Sequence, residues 1–237
     1  MNVPRLPRSA LLLLGFYLTS LFVTAAAPLK VCLISGAETY QSDRAFAALA
    51  ATLEREHGMK CEVLSFSPDG TTLPGIEHLL DADTAVFHVR RKTLNPAHLA
   101  VLKKFFASGK GFVALRSTSH GFENWPNFDR EVLGAHYGGT GGGNFGNAEQ
   151  LVFHPHPIWE GTQGLETKKD LYRLTEFASD LTVILEGQTK NGLIPVAWTR
   201  PHQQSHLVYL ALFYEINTPP FERAIANALR WVTTPAK

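Results

Sequence analysis

Residues 84–116 read TAVFHVRRKTLNPAHLAVLKKFFASGKGFVALR, and this stretch decides the fold. Its two ends, Thr84–Val89 and Gly111–Leu115, are short apolar runs with the β-branched and aromatic composition of buried strands. Between them, Asn95-Pro96 is a typical helix cap with a first-turn proline, and Gly109 is the expected helix end. Four apolar residues share one face of that helix: Leu99, Leu102, Phe105 and Phe106. This order of strand, helix and strand predicts two parallel strands covered by a helix.

The same alternation extends toward the N-terminus. Leu29–Ile34 is predicted as the first strand, Ser42–Glu56 as the first helix with Ser42 as its cap, and Lys60–Phe66 as the second strand. Apolar strands that alternate with amphipathic helices are typical of a sheet covered on both faces. We therefore predict an α/β fold with a doubly wound, mostly parallel sheet.

Toward the C-terminus the pattern is less regular. Trp125–Leu133 is interpreted as a short helix, and the glycine-rich tract Gly138–Gly146 is predicted to be a loop that forms a lid over the site. Thr218-Pro219 is expected to cap a final helix. Four segments before it have strand composition without long helices between them, which favours antiparallel strands at one sheet edge: Leu151–Phe153, Leu181–Glu186, Ile194–Thr199 and Leu207–Leu212.

The composition excludes several classes of function. Of the 237 residues, 45% are hydrophobic and 18% are charged, so the chain can bury one sizeable core. Its 22 basic and 21 acidic residues give a net charge of +1, which is too small to attract nucleic acid or acidic membranes. We predict one domain over residues 28–237 and a small, neutral ligand. A homo-oligomer is compatible with the sequence.

The first 27 residues have the layout of a secretory signal peptide. Arg5 and Arg8 precede an apolar run, Ala10–Val23, which is followed by small residues, Thr24–Ala27. The apolar run is shorter than the roughly 20 residues that a spanning helix needs. We expect cleavage near Ala25 or Ala26, export to the periplasm or the extracellular space, and no stable membrane insertion after cleavage. An uncleaved anchor is the alternative.

Both cysteines lie in strand-like apolar runs. Cys32 and Cys61 are therefore interpreted as small buried hydrophobic residues. Export would permit a disulfide between them, although bridges between neighbouring strands of a parallel sheet are uncommon. The alternative of a disulfide stays open at the level of the sequence.

Three loops are predicted to meet at one edge of the sheet. The carboxyl ends of parallel strands all lie at that edge, and ligands bind at the point where the strand order reverses. The candidate residues are Ser35, Gly36, Glu38 and Tyr40 after the first strand, Arg90 and Arg91 after the third, and Arg116, Ser117, Thr118, Ser119 and His120 after the fourth. Together they supply hydroxyls, guanidinium groups, a carboxylate and an imidazole.

We assign catalysis to His120, Arg116 and Glu38. Imidazole transfers protons near neutral pH, and arginine polarises oxygen atoms of a ligand. Glu38 or Tyr40 is the expected partner of His120. Substrate binding is assigned to the other residues of the three loops and to two aromatic residues from the following segment: Ser35, Gly36, Tyr40, Arg90, Arg91, Ser117, Thr118, Ser119, Trp125 and Tyr137.

Some of these residues also have a structural interpretation. In the structural alternative, Arg90 and Arg91 form ion pairs with acids such as Asp83 and Glu131. Trp125 is alternatively part of the core, and Phe122 is a further aromatic residue near the site. The sequence does not choose between these alternatives.

No metal and no cofactor are predicted. Gly141–Gly146 matches the dinucleotide fingerprint but does not lie between a first strand and its helix. His154 and His156 would need further metal ligands, for which only His136 or a carboxylate is available. Glutaminase chemistry needs a cysteine on the turn after a central strand, and that turn carries Arg116 and hydroxyl residues instead.

In its order of motifs, the chain resembles the ThuA-like (trehalose utilisation) family. The segments that carry the resemblance are Val31–Gly36, Phe105–Gly111, Val113–Arg116, Ser119–Trp125, Glu131–Gly134, His156–Gly161, Pro195–Arg200 and Phe221–Trp231. The resemblance implies a flavodoxin-like fold of the class I glutamine amidotransferase type and a role in the use of disaccharides and keto-sugars. Many members carry histidine where this chain has Tyr40 and Arg116, so the chain is similar to an arginine-containing branch.

The sequence thus leads to two hypotheses of function. The first is an exported enzyme, a hydrolase, lyase or isomerase, that acts on a disaccharide or 3-keto-sugar by acid/base chemistry. The second is a non-catalytic sugar-binding module that uses the same crevice. An interaction scaffold would need an exposed apolar patch, which a sequence does not reveal.

Overall fold

The computed structural model describes residues 27–138, 144–147, 150–166, 170–172, 174–212 and 218–236, with the backbone alone at 144–147 and 170. The first half alternates strands and helices: β1 Lys30–Gly36, α1 Ser42–His57, β2 Lys60–Ser65, β3 Thr84–Val89, α2 Pro96–Ala107 and β4 Phe112–Leu115. The second half is rich in strands and ends in a helix: β5 His136–Tyr137, β6 Asn144–Asn147, β7 Gln150–Phe153, β8 Asp170–Tyr172, β9 Leu174–Thr175, β10 Thr182–Thr189, β11 Gly192–His202, β12 Ser205–Leu210 and α3 Pro219–Val232.

Eight of these strands form one mixed sheet in the order β2-β1-β3-β4-β12-β11-β10-β7. The strands from β2 to β12 are parallel, and β11, β10 and β7 add antiparallel pairs at one side. Two short antiparallel ribbons, β5 with β9 and β6 with β8, lie beside this sheet. The predicted α/β architecture is therefore confirmed.

Two apolar layers cover the faces of the sheet. Leu33 points toward α1 and α3 and packs with Phe46 and Ile225, whereas Ile34 points to the other face and packs with residues such as Phe105 of α2. This alternation follows from the period of two along a strand. Burial on both faces explains why the parallel strands have almost continuous apolar sequences.

The two cysteines cannot pair. Val31 lies opposite Cys61 and Cys32 lies opposite Glu62 in the register of β1 and β2, so the two thiols point to opposite faces of the sheet. Both are free, and burial raises the pKa of each thiol to about 12. The interpretation as hydrophobic residues agrees with this placement.

Four expectations need correction. Ser42 is the first residue of α1 rather than its cap, because Gln41 holds that position in a left-handed conformation. Residues 144–146 of the tract predicted as a loop belong to β6, which has β8 as its partner; residues 139–143 of that tract lie outside the described residues. β12 is parallel to β4, not antiparallel. Trp125–Leu133 forms only one π-helical turn, Asp129–Leu133.

Candidate functional site

The order of the strands reverses at β1, which has β2 on one side and β3 on the other. This is the switch point where ligands bind in flavodoxin-like folds. Main-chain hydrogen bonds join the loops after β1, β3 and β4: Arg90 N donates to Gly36 O over 3.0 Å, and Arg91 N donates to His120 O over 3.0 Å. The fold therefore brings the three predicted loops together at the carboxyl ends of the strands, and the region between these loops is called the crevice below.

Arg116 occupies a strained turn directly after β4. Its φ of 35° is in the left-handed region, which costs free energy for a non-glycine residue and is common at functional sites. The carbonyl of Arg116 accepts a hydrogen bond from Tyr209 Oη at 2.7 Å and one from Ser119 Oγ at 3.1 Å. These bonds hold the turn in the position that a nucleophile has in other α/β proteins.

The Arg116 side chain is buried at the side of the crevice. Only 4% of the residue is exposed. Its guanidinium carbon lies 3.9 Å from the centre of the Tyr172 ring, a cation–π distance, and Nη1 donates to Ala211 O over 3.2 Å. The guanidinium is thus fixed in orientation before any ligand arrives.

His120 is held between aromatic rings. It stacks on Tyr137 with a centroid distance of 4.1 Å, and Tyr172 lies 5.6 Å away at a tilt. Its Nδ1 is 3.3 Å from Ser119 Oγ. Burial, and after it the positive charges of Arg90, Arg91 and Arg116 in that order, together lower the pKa of His120 to about 3. The imidazole is therefore neutral at physiological pH.

Two tyrosines connect the loop after β1 to the Arg116 side chain. Tyr40 Oη and Tyr172 Oη form a hydrogen bond of 2.8 Å. Burial raises the pKa of the Tyr172 phenol, and the bond with Tyr40 adds to this effect. Tyr40, which was expected to contact His120 directly, thus lies next to Tyr172, whose ring contacts His120.

Tyr137 is positioned by a buried carboxylate. Asp129 Oδ2 accepts from Tyr137 N at 2.8 Å and lies 2.9 Å from His136 Nδ1. Asp129 comes from the π-helical turn and is 4% exposed. It fixes the strand that presents Tyr137 to His120.

Glu38 contacts a lysine rather than His120. Lys92 Nζ forms a short ion pair with Glu38 Oε1, and Lys92 is almost fully buried. The Glu38 carboxylate balances this buried cation, which is a structural task. The expected partnership between Glu38 and His120 has no contact among the described residues.

Neither Arg90 nor Arg91 contacts the acids considered as their partners. Asp83 Oδ2 accepts from Lys30 N at 2.8 Å, and Glu131 Oε2 accepts from Trp125 Nε1 at 2.7 Å. Both arginines instead contribute to the depressed pKa of His120, so their charges lie near the imidazole.

Most hydroxyl groups of the site serve the fold. Ser35 Oγ forms hydrogen bonds with the Asp43 carboxylate and with Ser42 Oγ, and Thr118 Oγ1 donates to Phe87 O at 2.8 Å. The Ser117 hydroxyl is fully buried and has no hydrogen-bond partner within the described residues. The hydroxyl groups of Ser35 and Thr118 therefore stabilise the loops through internal hydrogen bonds.

Gly36 is required by close packing. A methyl group there would lie 2.7 Å from Phe66 Cδ2, which is shorter than van der Waals contact permits. Gly36 also accepts the hydrogen bond from Arg90. Its role is to let the loop after β3 approach β1.

Trp125 and Phe122 lie outside the crevice. Trp125 packs against Phe106 at 5.8 Å and Phe128 at 5.2 Å, and it borders a separate cavity of about 380 Å³ that also contacts the end of α2. Phe122 is buried against Phe128. Trp125 is therefore part of the packing around α2, in agreement with its structural interpretation.

The histidines considered as metal ligands have other partners. His154 Nε2 lies 2.8 Å from Glu186 Oε2, and His156 accepts from Ile158 N and packs on Trp231. In the described ranges no group of three His, Cys, Asp or Glu side chains has the arrangement of a metal site.

Tyr172 and His88 lie at the site, although the sequence prediction included neither of them. Tyr172 comes from β8, whose short sequence has no distinctive pattern. His88 is a polar residue in the apolar strand β3, two positions before Arg90. A polar residue in an otherwise apolar strand is a signal that could have identified it as part of the site. His88 is fully buried and lies 5.4 Å from the Tyr40 ring.

A model of the ThuA family, described as trehalose utilisation, matches residues 30–232. The chain belongs to the ThuA family. The matched range contains every loop of the crevice, and the fold is consistent with the class I glutamine amidotransferase-like fold. In this ThuA protein the turn after β4 carries Arg116 rather than the cysteine of a glutaminase.

Solved structures support the ThuA fold. A putative ThuA-like protein from Bacteroides uniformis ATCC 8492 is 17% identical with a TM-score of 0.65, and the alignment covers 88% of this chain and 93% of that one. A second, from Parabacteroides merdae ATCC 43184, is 12% identical with a TM-score of 0.66, covering 89% and 92%.

A larger protein contains a similar fold. The cold-adapted β-galactosidase from Rahnella sp. R3 is 14% identical with a TM-score of 0.53, and the alignment covers 86% of this chain but 32% of that one. Among curated proteins, no sequence matches this chain. In the described part of the ThuA chain, no helix has the length and apolar character needed to cross a membrane.

Proposed function

We propose that this ThuA protein is an exported enzyme that acts on a disaccharide or a 3-keto-sugar by acid/base chemistry in the crevice between the loops after β1, β3 and β4. The family described as trehalose utilisation supports a sugar-related role. The observation that carries the proposal is the placement of a neutral His120 beside Arg116, with its ring stacked on Tyr137.

The arginines suit a reaction in which negative charge develops on a substrate oxygen. Arg116 is fixed by its contacts with Tyr172 and Ala211, so it needs no reorganisation during the reaction. Preorganised donors of this kind stabilise an oxyanion more than they stabilise a neutral carbonyl. A keto-sugar carbonyl that accepts a hydrogen bond from an arginine is therefore the favoured electrophile.

His120 is proposed to accept the proton. The C–H bond next to the carbonyl breaks, its proton moves to the neutral imidazole, and its electron pair moves toward the carbonyl oxygen to give an enolate. The pKa of about 3 applies to the crevice without this anion. The developing oxyanion offsets the arginine charges, so the pKa of His120 rises as the proton is transferred.

The tyrosines supply a surface for a sugar ring. Tyr40 and Tyr137 are partly exposed in the crevice, and their rings present flat apolar faces next to polar hydroxyl groups. The Tyr40 hydroxyl, bonded to Tyr172, is placed to exchange hydrogen bonds with sugar hydroxyls. Such a lining fits a carbohydrate better than a purely apolar ligand.

Export is proposed from the N-terminal sequence alone. The segment with Arg5, Arg8 and the run Ala10–Val23 lies outside the described residues. Sequencing the N-terminus of the protein recovered from the periplasm or culture medium tests this part of the proposal. A start near Ala26 or Ala27 is expected, whereas an intact Met1 in the membrane fraction would show an anchor.

The decisive experiment compares His120→Gln with His154→Gln on ordinary and oxidised disaccharides. His154 is a matched control, because it is a histidine that pairs with Glu186 outside the crevice. Turnover by His120→Gln should fall about a hundredfold or more, as expected for loss of a general base, while sugar affinity changes little. Turnover should be unaffected in His154→Gln. Unchanged turnover in His120→Gln removes that residue from the mechanism, and sugar binding without turnover in the unsubstituted protein contradicts catalysis.

A further inference from the structure

Three consecutive cationic residues, Arg90, Arg91 and Lys92, follow β3, and they differ in burial and in ion pairing. Lys92 is 7% exposed and its ammonium group is paired with Glu38. Arg90 and Arg91 form no ion pair with any described residue. The loop therefore neutralises its third cation but leaves the charges of the first two available at the crevice.

The backbone holds both arginines in place. Arg90 N is bonded to Gly36 O and Arg91 N to His120 O, each over 3.0 Å. Arg91 also has a φ of 50°, a left-handed conformation that costs free energy in a residue other than glycine. Residues in strained backbone conformations cluster at active sites and ligand-binding sites. Arg91 is exposed and Arg90 is half-buried, so a ligand can reach them.

The described acids near these loops are already engaged. Asp43 accepts from Ser35 and Ser65, Glu123 accepts from Thr93, and Asp129 binds His136 and Tyr137. His120, whose pKa the charges of Arg90 and Arg91 help to lower, is neutral. None of these acids forms an ion pair with Arg90 or Arg91, so within the described part of the chain both guanidinium groups are available to an anionic ligand.

We propose that the ligand of this crevice is an acidic sugar whose carboxylate or phosphate group is bound by Arg90 and Arg91 beside His120. The inference rests on the proposed function and narrows its substrate class, replacing the neutral ligand that the net charge suggested. Guanidinium groups bind carboxylates and phosphates through paired, charge-assisted hydrogen bonds. Neutral sugars gain no comparable attraction from the two positive charges.

Binding of an anion has a consequence at His120. The ligand charge offsets the arginine charges that depress the pKa of the imidazole, so the histidine titrates at a higher pH in the complex. By linkage, the anionic probe binds more tightly as the pH falls through that new pKa toward the lower pKa of the unbound protein. A neutral sugar at the same place leaves the titration of His120 almost unchanged.

The test uses two matched pairs of probes in calorimetry with the purified protein. Glucose is compared with glucuronate for the carboxylate, and trehalose with trehalose 6-phosphate for the phosphate. At least one charged probe should bind about tenfold or more tightly than its neutral partner. The pair with the larger difference identifies the anion.

Substitutions locate the effect. Arg90→Gln and Arg91→Gln should each reduce the preference for the charged probe over its neutral partner by about tenfold. Arg55→Gln is the control, since Arg55 is an exposed arginine paired with Glu56 on α1, and it should keep the full preference. The NMR titration of His120, assigned by comparison with His120→Gln, should move to higher pH when the charged probe is bound.

The outcomes separate this inference from the proposed function. Equal binding of charged and neutral probes, or a preference that survives both arginine substitutions, overturns the inference and leaves a sugar site intact. Binding of none of the four probes, together with no turnover of any disaccharide, contradicts the proposed function as well.

Discussion

At the scale of single residues, His88 shows how the site affects stability. It lies opposite Ser35 in the sheet and packs against the rings of Tyr40 and Phe46. Burial and, to a smaller extent, the charge of Arg116 together lower its pKa from 6.5 to about 3. A histidine that is buried in its neutral form makes the folded state sensitive to acid.

The prediction concerns His88→Phe, which keeps a ring but removes the titrating group. Between pH 6.5 and pH 3 the unfolded chain binds a proton at His88 that the folded chain does not, so the free energy of unfolding falls as the pH falls. The expected slope is about 1.4 kcal/mol for each pH unit and each such histidine. Urea unfolding from pH 4 to 6 should show a slope smaller by about this amount in His88→Phe.

Phe46→Leu provides the control for His88. It weakens the same ring cluster without removing a titrating group, so it should lower the free energy of unfolding at every pH and leave the slope unchanged. An identical slope in the parent and in His88→Phe would mean that His88 is protonated in the folded protein.

At the scale of elements, α2 and α3 begin in different ways although their sequences are alike. Asn95-Pro96 and Thr218-Pro219 both place a polar residue before a proline. Asn95 Oδ1 accepts from His98 N at 2.9 Å, whereas the Thr218 side chain forms no capping hydrogen bond. The helix face, rather than the cap, therefore holds α3 in place through residues such as Phe221 and Ile225.

Asn95→Ala should lower the free energy of unfolding by about 1 kcal/mol, because an amide N–H of α2 loses its partner. Thr218→Ala, at the same position of α3, should change the free energy of unfolding by only a few tenths of a kcal/mol, because the Thr218 side chain has no capping bond to lose. Urea unfolding of both variants measures the difference. Equal losses would show that the capping bond of Asn95 contributes no stability.

At the scale of the whole molecule, the C-terminal helix completes the fold by packing on the beginning of β4. A methyl group at Gly111 would lie 1.9 Å from the carbonyl oxygen of Val232, so the end of α3 touches the backbone of the central strand. This contact joins the last helix to the strand that carries Arg116. Helix packing at one end of β4 thus supports the site at the other end.

Gly111→Ala is expected to destabilise the protein by about 3 kcal/mol or more, since the backbone of α3 must move to make room. Gly58→Ala is the control. Gly58 has a φ of 65° and no atom within 4 Å of the added methyl, so the cost there is about 1 kcal/mol from the backbone alone. Thermal unfolding distinguishes the two, and similar melting temperatures would show that α3 does not pack closely on Gly111.

The sequence predicted the early elements well because their signals are local. Thr84–Val89 was predicted with its observed bounds, and Asn95-Pro96 begins α2 as expected. Prediction was weaker after β4, where β5, β6, β8 and β9 are strands of two to four residues. Such short strands have no periodicity to detect, and their pairing depends on residues far away in the chain.

The sequence by itself determined the α/β class, the strands that end at the crevice, and the run of arginines and hydroxyls that follows them, because hydrophobic period and turn residues act over a few neighbouring positions. Only the tertiary structure decided which side chains meet. It placed Tyr172 against Arg116, paired Glu38 with Lys92, and moved Trp125 into the packing around α2. These contacts depend on burial and on charges from distant segments, and the order of residues along the chain does not specify either one locally.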